Sequence, residues 1–369
     1  MTDLIGELRS RALLRELDPI RRPGAGRPTR PIDFDGEPWC VLGIQLSVDR
    51  AEFVCSTMGG RDLWRESFPV ALAGSGSEHG YGAVSELLTE QLRRIPADKR
   101  LIAIQVGVPG FIGRDGQTVS WSPSFDWTDF ALTTSIGKTL AEVGLDGVRV
   151  GISTSSHLAA LHAARIELDL PSDGIVAYFG GDREIATGLV IDGEIYRGAT
   201  GGAGDFGHLG LDASGPRCRC GRHGCLFTTA SPASLLSAAG LLTTEAAASL
   251  VEESPAQAVE LLVDAAAEGQ SEAVAVLTAA GTSLGDAIDL LVGTVNPHAV
   301  VLGGFLGALS PYLLPAITER LESRLAIEVY APTIVVSVNP DTPRDVGGAI
   351  LAARDACFYD PLALTRPTH

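Results

Sequence analysis

The chain has 369 residues, 45% of them hydrophobic, and carries 45 acidic against 28 basic residues for a net charge of −17. A chain of this length exceeds one domain of ~150 residues and can bury a sizeable core, so two lobes are expected, and the acidic balance disfavours nucleic acid on the body of the protein. Only six cysteines, three of them widely scattered (Cys40, Cys55, Cys357), and no stretch near Met1 that reads as a secretory leader argue against a disulfide scaffold and for a cytoplasmic protein.

The charge is uneven. Residues 1–30 hold seven arginines against four acids, a local +3, which leaves −20 on the remaining 339. A basic head on an acidic body can mark an end that meets nucleic acid, although an ordinary solvated helix and linker have the same composition. Leu4, Ile5, Leu8, Ala12 and Leu13 recur at helical spacing, Pro19 stops the pattern, and the run from Arg21 to Pro31 is a stiff basic linker. A domain boundary near residue 32 follows.

Beyond the linker, strands are expected over Trp39–Leu46, over Ala51–Cys55 and in the apolar stretch before Ala73, then a helix from about Tyr81 to Arg94 and a buried strand over Leu101–Val106. Strand, turn, strand, helix, strand is the order of an α/β layer, and it repeats. Val148–Ile152 reads as a strand, Ser156–Arg165 as a helix, and Ile175–Phe179 and Ile185–Ile191 as strands, the latter turning at Asp192-Gly193. Residues 232–290 are rich in Ala and Leu and mostly helical; Val300–Leu302 and Thr333–Val338 are further strands. The apolar stretch near 274–304 is interrupted by Asp286, Asp289 and Pro297, so it reads as a buried helix and strand and not as a membrane span.

The densest chemistry lies at Cys218-Arg219-Cys220-Gly221-Arg222-His223-Gly224-Cys225, shortly after Gly204-Asp205-Phe206-Gly207-His208. Three thiolates and an imidazole are the ligand set of a closed structural Zn2+ site, in which no open position is left for hydrolysis. The short spacings, with Gly221 and Gly224 between them, suit a tight knuckle around one ion. The fourth ligand is His208, with His223 inside the knuckle as its competitor.

The zinc run with the preceding Gly-His, the Gly107-Val108-Pro109-Gly110 turn, Ala203–His208 and Val300-Val301-Leu302-Gly303-Gly304 together resemble the ROK family of repressors, open reading frames and sugar kinases, from about residue 24 to the C-terminus. The resemblance implies a two-lobed, actin-like and hexokinase-like α/β fold that forms a homo-oligomer, a dimer or tetramer, and binds no membrane. The division expected is 1–31 as a remnant of a winged helix-turn-helix with its linker, 32–133 as a smaller lobe completed by 352–369, and 134–351 as a larger lobe with the zinc knuckle at 204–227.

The same resemblance locates the parts of a kinase site, and most have changed. Where the family's kinases place an Asn-Asp pair whose carboxylate accepts the sugar hydroxyl proton, this chain has Thr154 and Ser155, and a serine hydroxyl is no base near neutral pH unless something activates it. His157 is one group that could do so, although Ser156 and His157 fit better as helix caps or first-turn residues. The phosphate turn after the first strand reads Gln45-Leu46-Ser47-Val48-Asp49, and the second phosphate segment begins with Glu184, a carboxylate where an anion belongs. The implied sugar contacts fall on Ser124, Thr154, Ser155, Asp205, His208 and Phe227, of which His208 alone keeps the family's residue. Replacing several hydrogen-bonding groups removes ordinary hexose recognition, leaving Ser124, Thr154, Asp205 and His208 as contacts for an altered small-molecule effector. Phe227 fits equally well as a core aromatic under the knuckle.

No catalytic residue is assigned, and the reading that follows is a ROK-type transcriptional regulator. Gly26-Arg27-Pro28 matches the family's Gly-Arg-Pro linker, and Thr2–Glu16 resembles the end of a recognition helix and the start of a wing. A three-helix DNA reader cannot bury its core from one helix, so DNA binding is expected if a longer native N-terminus exists, with the start ~40–50 residues upstream. The alternatives are an ATP-dependent sugar kinase and a pseudoenzyme that binds a ligand or partner without DNA.

Overall fold

The computed structural model describes residues 5–6, 8–9, 13–18, 31–168, 170, 174–323, 334–337 and 342–358. Residues 5–6 and 8–9 are helical, and β1 (Leu14–Glu16) follows them. It pairs antiparallel with β2 (Ile32–Phe34), Leu14 opposite Phe34 and Glu16 opposite Ile32. Leu13 is buried beneath this ribbon, its carbonyl accepts from the Asp35 N–H at 2.9 Å, and Leu17 N–H donates to Pro31 at 2.9 Å. The pairing therefore carries ordered structure across the boundary expected near residue 32. The linker segment 21–30, with Gly26-Arg27-Pro28, lies outside the described residues.

The described residues fall into two compact units, one drawn from Met1–Ser153 and Ala349–His369 and the other from Thr154–Gly348. In the first, β3 (Trp39–Leu46), β4 (Arg50–Thr57) and β5 (Asp62–Pro69) form a meander, and α1 (Ser77–Leu92) leads to β6 (Arg100–Val108). A separate three-stranded sheet follows, made of β7 (Phe111–Ile112), β8 (Val119–Ser122) and β9 (Trp127–Phe130), and then come α2 (Leu132–Glu142) and β10 (Arg149–Thr154). The main sheet has the order β10-β6-β3-β4-β5, with β3 antiparallel to β4 and parallel to β6. Strand β3 is buried along its whole length, as its uncharged sequence requires of a strand covered on both faces. Edge strand β5 exposes Asp62 and Arg65, charges that discourage further strand pairing.

The lobe boundary expected between residues 133 and 134 is corrected to Ser153/Thr154. Strand β10 hydrogen-bonds β6 at the edge of the first sheet, and Ile136 and Leu140 of α2 join Leu42, Phe53, Leu88 and Ile104 in that unit's core.

The second unit begins with α3 (Ser155–His162) and a π-helical turn (Ala163–Glu167), followed by β11 (Ile175–Gly180), β12 (Ala186–Ile191) and β13 (Glu194–Ile195). Asp192 (φ 54°) and Gly193 (φ 74°) make the two-residue turn that brings Ile191 opposite Glu194, a tight hairpin with positive φ at both central residues. Helices α4 (Leu226–Ala230), α5 (Pro232–Ala238), α6 (Thr244–Glu253), α7 (Pro255–Ala267) and α8 (Ser271–Val295) precede β14 (Ala299–Leu302). Then come α9 (Gly304–Ala308), α10 (Ser310–Glu322), β15 (Ile334–Ser337) and α11 (Arg344–Phe358). The sheet order is β13-β12-β11-β14-β15, with β11 antiparallel to β12 and parallel to β14.

The two main sheets thus share one plan. A first strand sits at the centre, two hairpin strands lie on one side, and two strands reached through helices lie on the other. That duplication is the structural form of the repeated order read from the sequence. Helix α8 is long and apolar enough to cross a membrane, yet Leu277, Leu284, Ile288 and Leu291 are buried in the core of the second unit. It ends where Asn296 adopts φ 48° ahead of Pro297, which cannot continue a helix.

Candidate metal centre

After β13 the chain runs to a single 3₁₀ turn, Phe206–His208, and then doubles back as the knuckle. The knuckle is held by its own backbone. Cys218 N–H donates to Arg222 O at 2.7 Å, Gly221 N–H to Cys218 O at 3.0 Å, and Gly224 N–H to Pro216 O at 2.9 Å. An antiparallel bridge pairs Gly210 with Cys225, which brings the segment after His208 against the last cysteine. Helix α4 starts at the next residue.

This folding brings together one ligand atom each from His208, Cys218, Cys220 and Cys225, all within 4.8 Å of one another. Cys218 Sγ lies 3.4 Å from His208 Nδ1, and Cys220 Sγ lies 3.5 Å from Cys225 Sγ. A tetrahedral ion with sulfur at ~2.3 Å has edges of roughly 3.8 Å, so these separations suit a shared ion and are far too long for a disulfide. The residues fit a four-coordinate metal. His223 is not among them: its Nδ1 lies 3.1 Å from the carbonyl of Gly215, which leaves His208 as the imidazole of the set.

Burial is graded across the cluster. Cys218 and Cys225 are buried, His208 is half-buried and Cys220 is exposed. The backbone N–H of Arg222 lowers the Cys220 thiol to about 7, whereas burial, with the neighbouring sulfurs, raises Cys225 to about 12. Without a cation the thiols thus differ strongly in acidity; a bound dication stabilises all of them as thiolates.

Two side chains flank the cluster: Phe227, which the sequence already suggested as an aromatic under the knuckle, and Arg219, which it did not single out. Phe227 places its ring 6.0 Å from that of His208, and Arg219, between two of the cysteines, sets its guanidinium 5.0 Å over the Phe227 ring. Arg219 also forms an ion pair with Glu184, in the turn between β11 and β12. The carboxylate noted at the place of an anion is therefore met by a guanidinium from the knuckle itself.

The other candidate contacts are divided between the two units. Ser124 lies in the first unit between β8 and β9, its carbonyl accepting from Gly74 N–H at 3.0 Å. In the second unit Thr154 is the N-cap residue of α3 without a side-chain cap hydrogen bond, and Ser155 is the first helical residue. Ser156 and His157 line the first turn and neither caps it; Ser156 Oγ donates to Thr187 O at 3.0 Å, tying α3 to β12. His157 is buried with no hydrogen-bond partner on Nε2 among the described residues, and burial, with the Arg197 charge, lowers its pKa to about 4. Asp205 is exposed at the start of the 3₁₀ turn. The segment that stands in place of the family's phosphate turn makes contacts of its own: Gln45 Nε2 donates to Leu46 O at 2.9 Å, and Asp49 pairs with Arg50 at 3.4 Å.

Fold and cluster together define a ROK protein. The ROK family model matches residues 77–355, and the chain belongs to that family. Among characterised relatives, the DNA-binding transcriptional repressor Mlc of Escherichia coli K12 is 22% identical over 366 residues, covering 99% of this chain and 87% of Mlc. The xylose repressor of Caldicellulosiruptor bescii is 25% identical over 329 residues, 88% of this chain and 80% of the repressor. Among solved structures, a ROK family transcriptional regulator described as a homolog of E. coli Mlc superposes with a TM-score of 0.78 at 21% identity, over 98% of this chain and 89% of that one. A ROK family glucokinase from Streptomyces griseus in complex with glucose and AMPPNP gives 0.64 at 20% identity, over 86% of this chain and 99% of the kinase.

Proposed function

We propose that the chain is a ROK-type transcriptional regulator, sugar-related by descent, with a structural Zn2+ held by His208, Cys218, Cys220 and Cys225. The observation that carries this reading is coverage. The likeness to a regulator takes in 98% of the chain and that to a kinase 86%, so the chain has a portion that regulators share and kinases lack. The short antiparallel ribbon β1–β2, with Arg9 and Arg15 held to Glu16 and Asp33, is compatible with a wing and supports the same reading.

In this reading the chain is not an enzyme. Ser155 stands where the kinases' carboxylate would be, and a hydroxyl near neutral pH accepts no proton from a sugar. The partners proposed are DNA and a small-molecule effector contacting Ser124, Thr154, Asp205 and His208, in a homo-oligomer. Four-coordinate metal leaves no open position, so the ion's role is to fix the knuckle.

The test is footprinting of the regulator's own upstream region with protein purified from its own cells, alongside an assay for ADP release with a panel of hexoses. Protection of a discrete operator without sugar-stimulated ADP supports the regulator. Sugar-stimulated ADP release that is lost in His208→Ala supports the kinase instead.

A further inference from the structure

The structure assigns to Arg219 and Phe227 a role as positioning residues for the metal: we infer that the stack Glu184–Arg219–Phe227–His208 fixes the His208 imidazole in its ligating orientation. The inference rests on the reading of the cluster as a metal centre. His208 supplies Nδ1 to the cluster side, 3.4 Å from Cys218 Sγ. An imidazole that ligates through one nitrogen needs something to hold the ring, and in many metal sites a hydrogen-bonded carboxylate or carbonyl does so. Here the neighbour of the ring is an aromatic face, 6.0 Å away at an interplanar angle of 48°.

That aromatic is itself held. Phe227 is the second residue of α4, two positions after the ligand Cys225, so its backbone moves with the cluster. Arg219 lies over it at 5.0 Å, within the range of a cation–π interaction. Arg219 belongs to the Cys218–Cys220 segment and reaches out to Glu184, a residue of the β11–β12 turn. Three short segments are thereby fixed relative to one imidazole: the turn with Glu184, the Cys218–Cys220 segment with a ligand on either side of Arg219, and Cys225–Phe227 with a ligand on one side. An ion pair between side chains 43% and 35% exposed contributes little to stability by itself. Its effect is expected in the metal affinity, through the orientation of Arg219 over Phe227.

The experiment uses the full chain, zinc competition with a chromophoric chelator, and the absorption spectrum of the Co2+-substituted protein. Phe227→Ala and Arg219→Gln should each weaken zinc binding by roughly 10-fold or more and shift the Co2+ ligand-field bands, while Phe227→Tyr, which keeps the ring, restores both. A merely structural role for the stack leaves the Co2+ spectrum unmoved. Unchanged affinity and spectrum in the two disruptive variants overturn the inference. Should Phe227→Ala not fold, Arg219→Gln and Glu184→Gln decide, since neither alters a buried side chain. Wild-type protein that takes up neither Zn2+ nor Co2+ is a different result, which overturns the metal centre itself.

Discussion

Cys218 Sγ lies 3.4 Å from His208 Nδ1, joining a 3₁₀ turn to a knuckle that begins ten residues later. The contact sets two buried or half-buried ligand atoms side by side in a segment that has little regular secondary structure of its own. A cross-link there substitutes for a hydrophobic core, and removing it should be felt as loss of local stability.

Protein purified without chelator should therefore carry about one equivalent of zinc, and Cys220→Ser less than about a half. Chelation and Cys220→Ser should each lower the melting temperature; a loss of ~2 kcal/mol corresponds to roughly 4–8 °C in a unit of this size. Metal analysis with thermal unfolding checks both. A metal-free protein indifferent to chelator contradicts the assignment.

The two knuckle glycines should behave differently. A Cβ on Gly224 (φ 57°) would lie 1.8 Å from Asp212 O, whereas one on Gly221 (φ 92°) meets nothing within 4 Å. Gly221→Ala should cost only the ~1–2 kcal/mol of a left-handed residue and keep its metal, while Gly224→Ala loses it. Metal content of the two variants, ranked in the opposite order, would sink this account of the loop.

His157 makes the second unit sensitive to acid. The folded chain keeps this imidazole neutral down to about 4, while the unfolded chain takes up a proton below ~6.5. Between those values the unfolded state binds more protons, so stability falls as pH drops through that window and levels off below it. At pH 4.5 the loss from this group is about 2–3 kcal/mol. His157→Gln should flatten the difference between pH 7 and pH 4.5 by that amount, measured by urea unfolding of both metal-free proteins so that thiol protonation enters both curves equally. Identical pH slopes would contradict the prediction.

Arg344, whose side chain is 3% exposed, is held by Glu167 at 2.7 Å. Glu167 is one of the groups that hold this buried guanidinium, so Glu167→Ala should destabilise the second unit by about 1.5–3 kcal/mol. Arg344→Met combined with Glu167→Leu should recover most of that loss. Denaturant midpoints for the three proteins test it, and a double variant no better than the single one refutes it.

Much of this molecule could be read in advance because its signals are local. Trp39–Leu46 is an apolar run interrupted only by Gln45 and is β3 residue for residue, and Asp192-Gly193 is a hairpin turn by its chemistry alone. The cysteine spacing likewise named three ligands of the cluster. Pairings set by long-range register left no such trace. Strands β1 and β2 are three residues each and too short for a period, and β7 to β9 are similarly short and interrupted by turns. The choice between His208 and His223 is a matter of distance, which spacing does not fix. Arg219, Phe227 and Glu184 come from separate segments, and only the fold makes them neighbours.

The central claim is that this chain regulates transcription and does not phosphorylate a sugar. Chromatin immunoprecipitation of the protein at its native level, in its own cells, tests it most directly. The account predicts a small set of enriched sites sharing a two-fold symmetric sequence, with occupancy altered by the effector. Enrichment at no site, in cells where the protein is present, folded and metal-loaded, would contradict it.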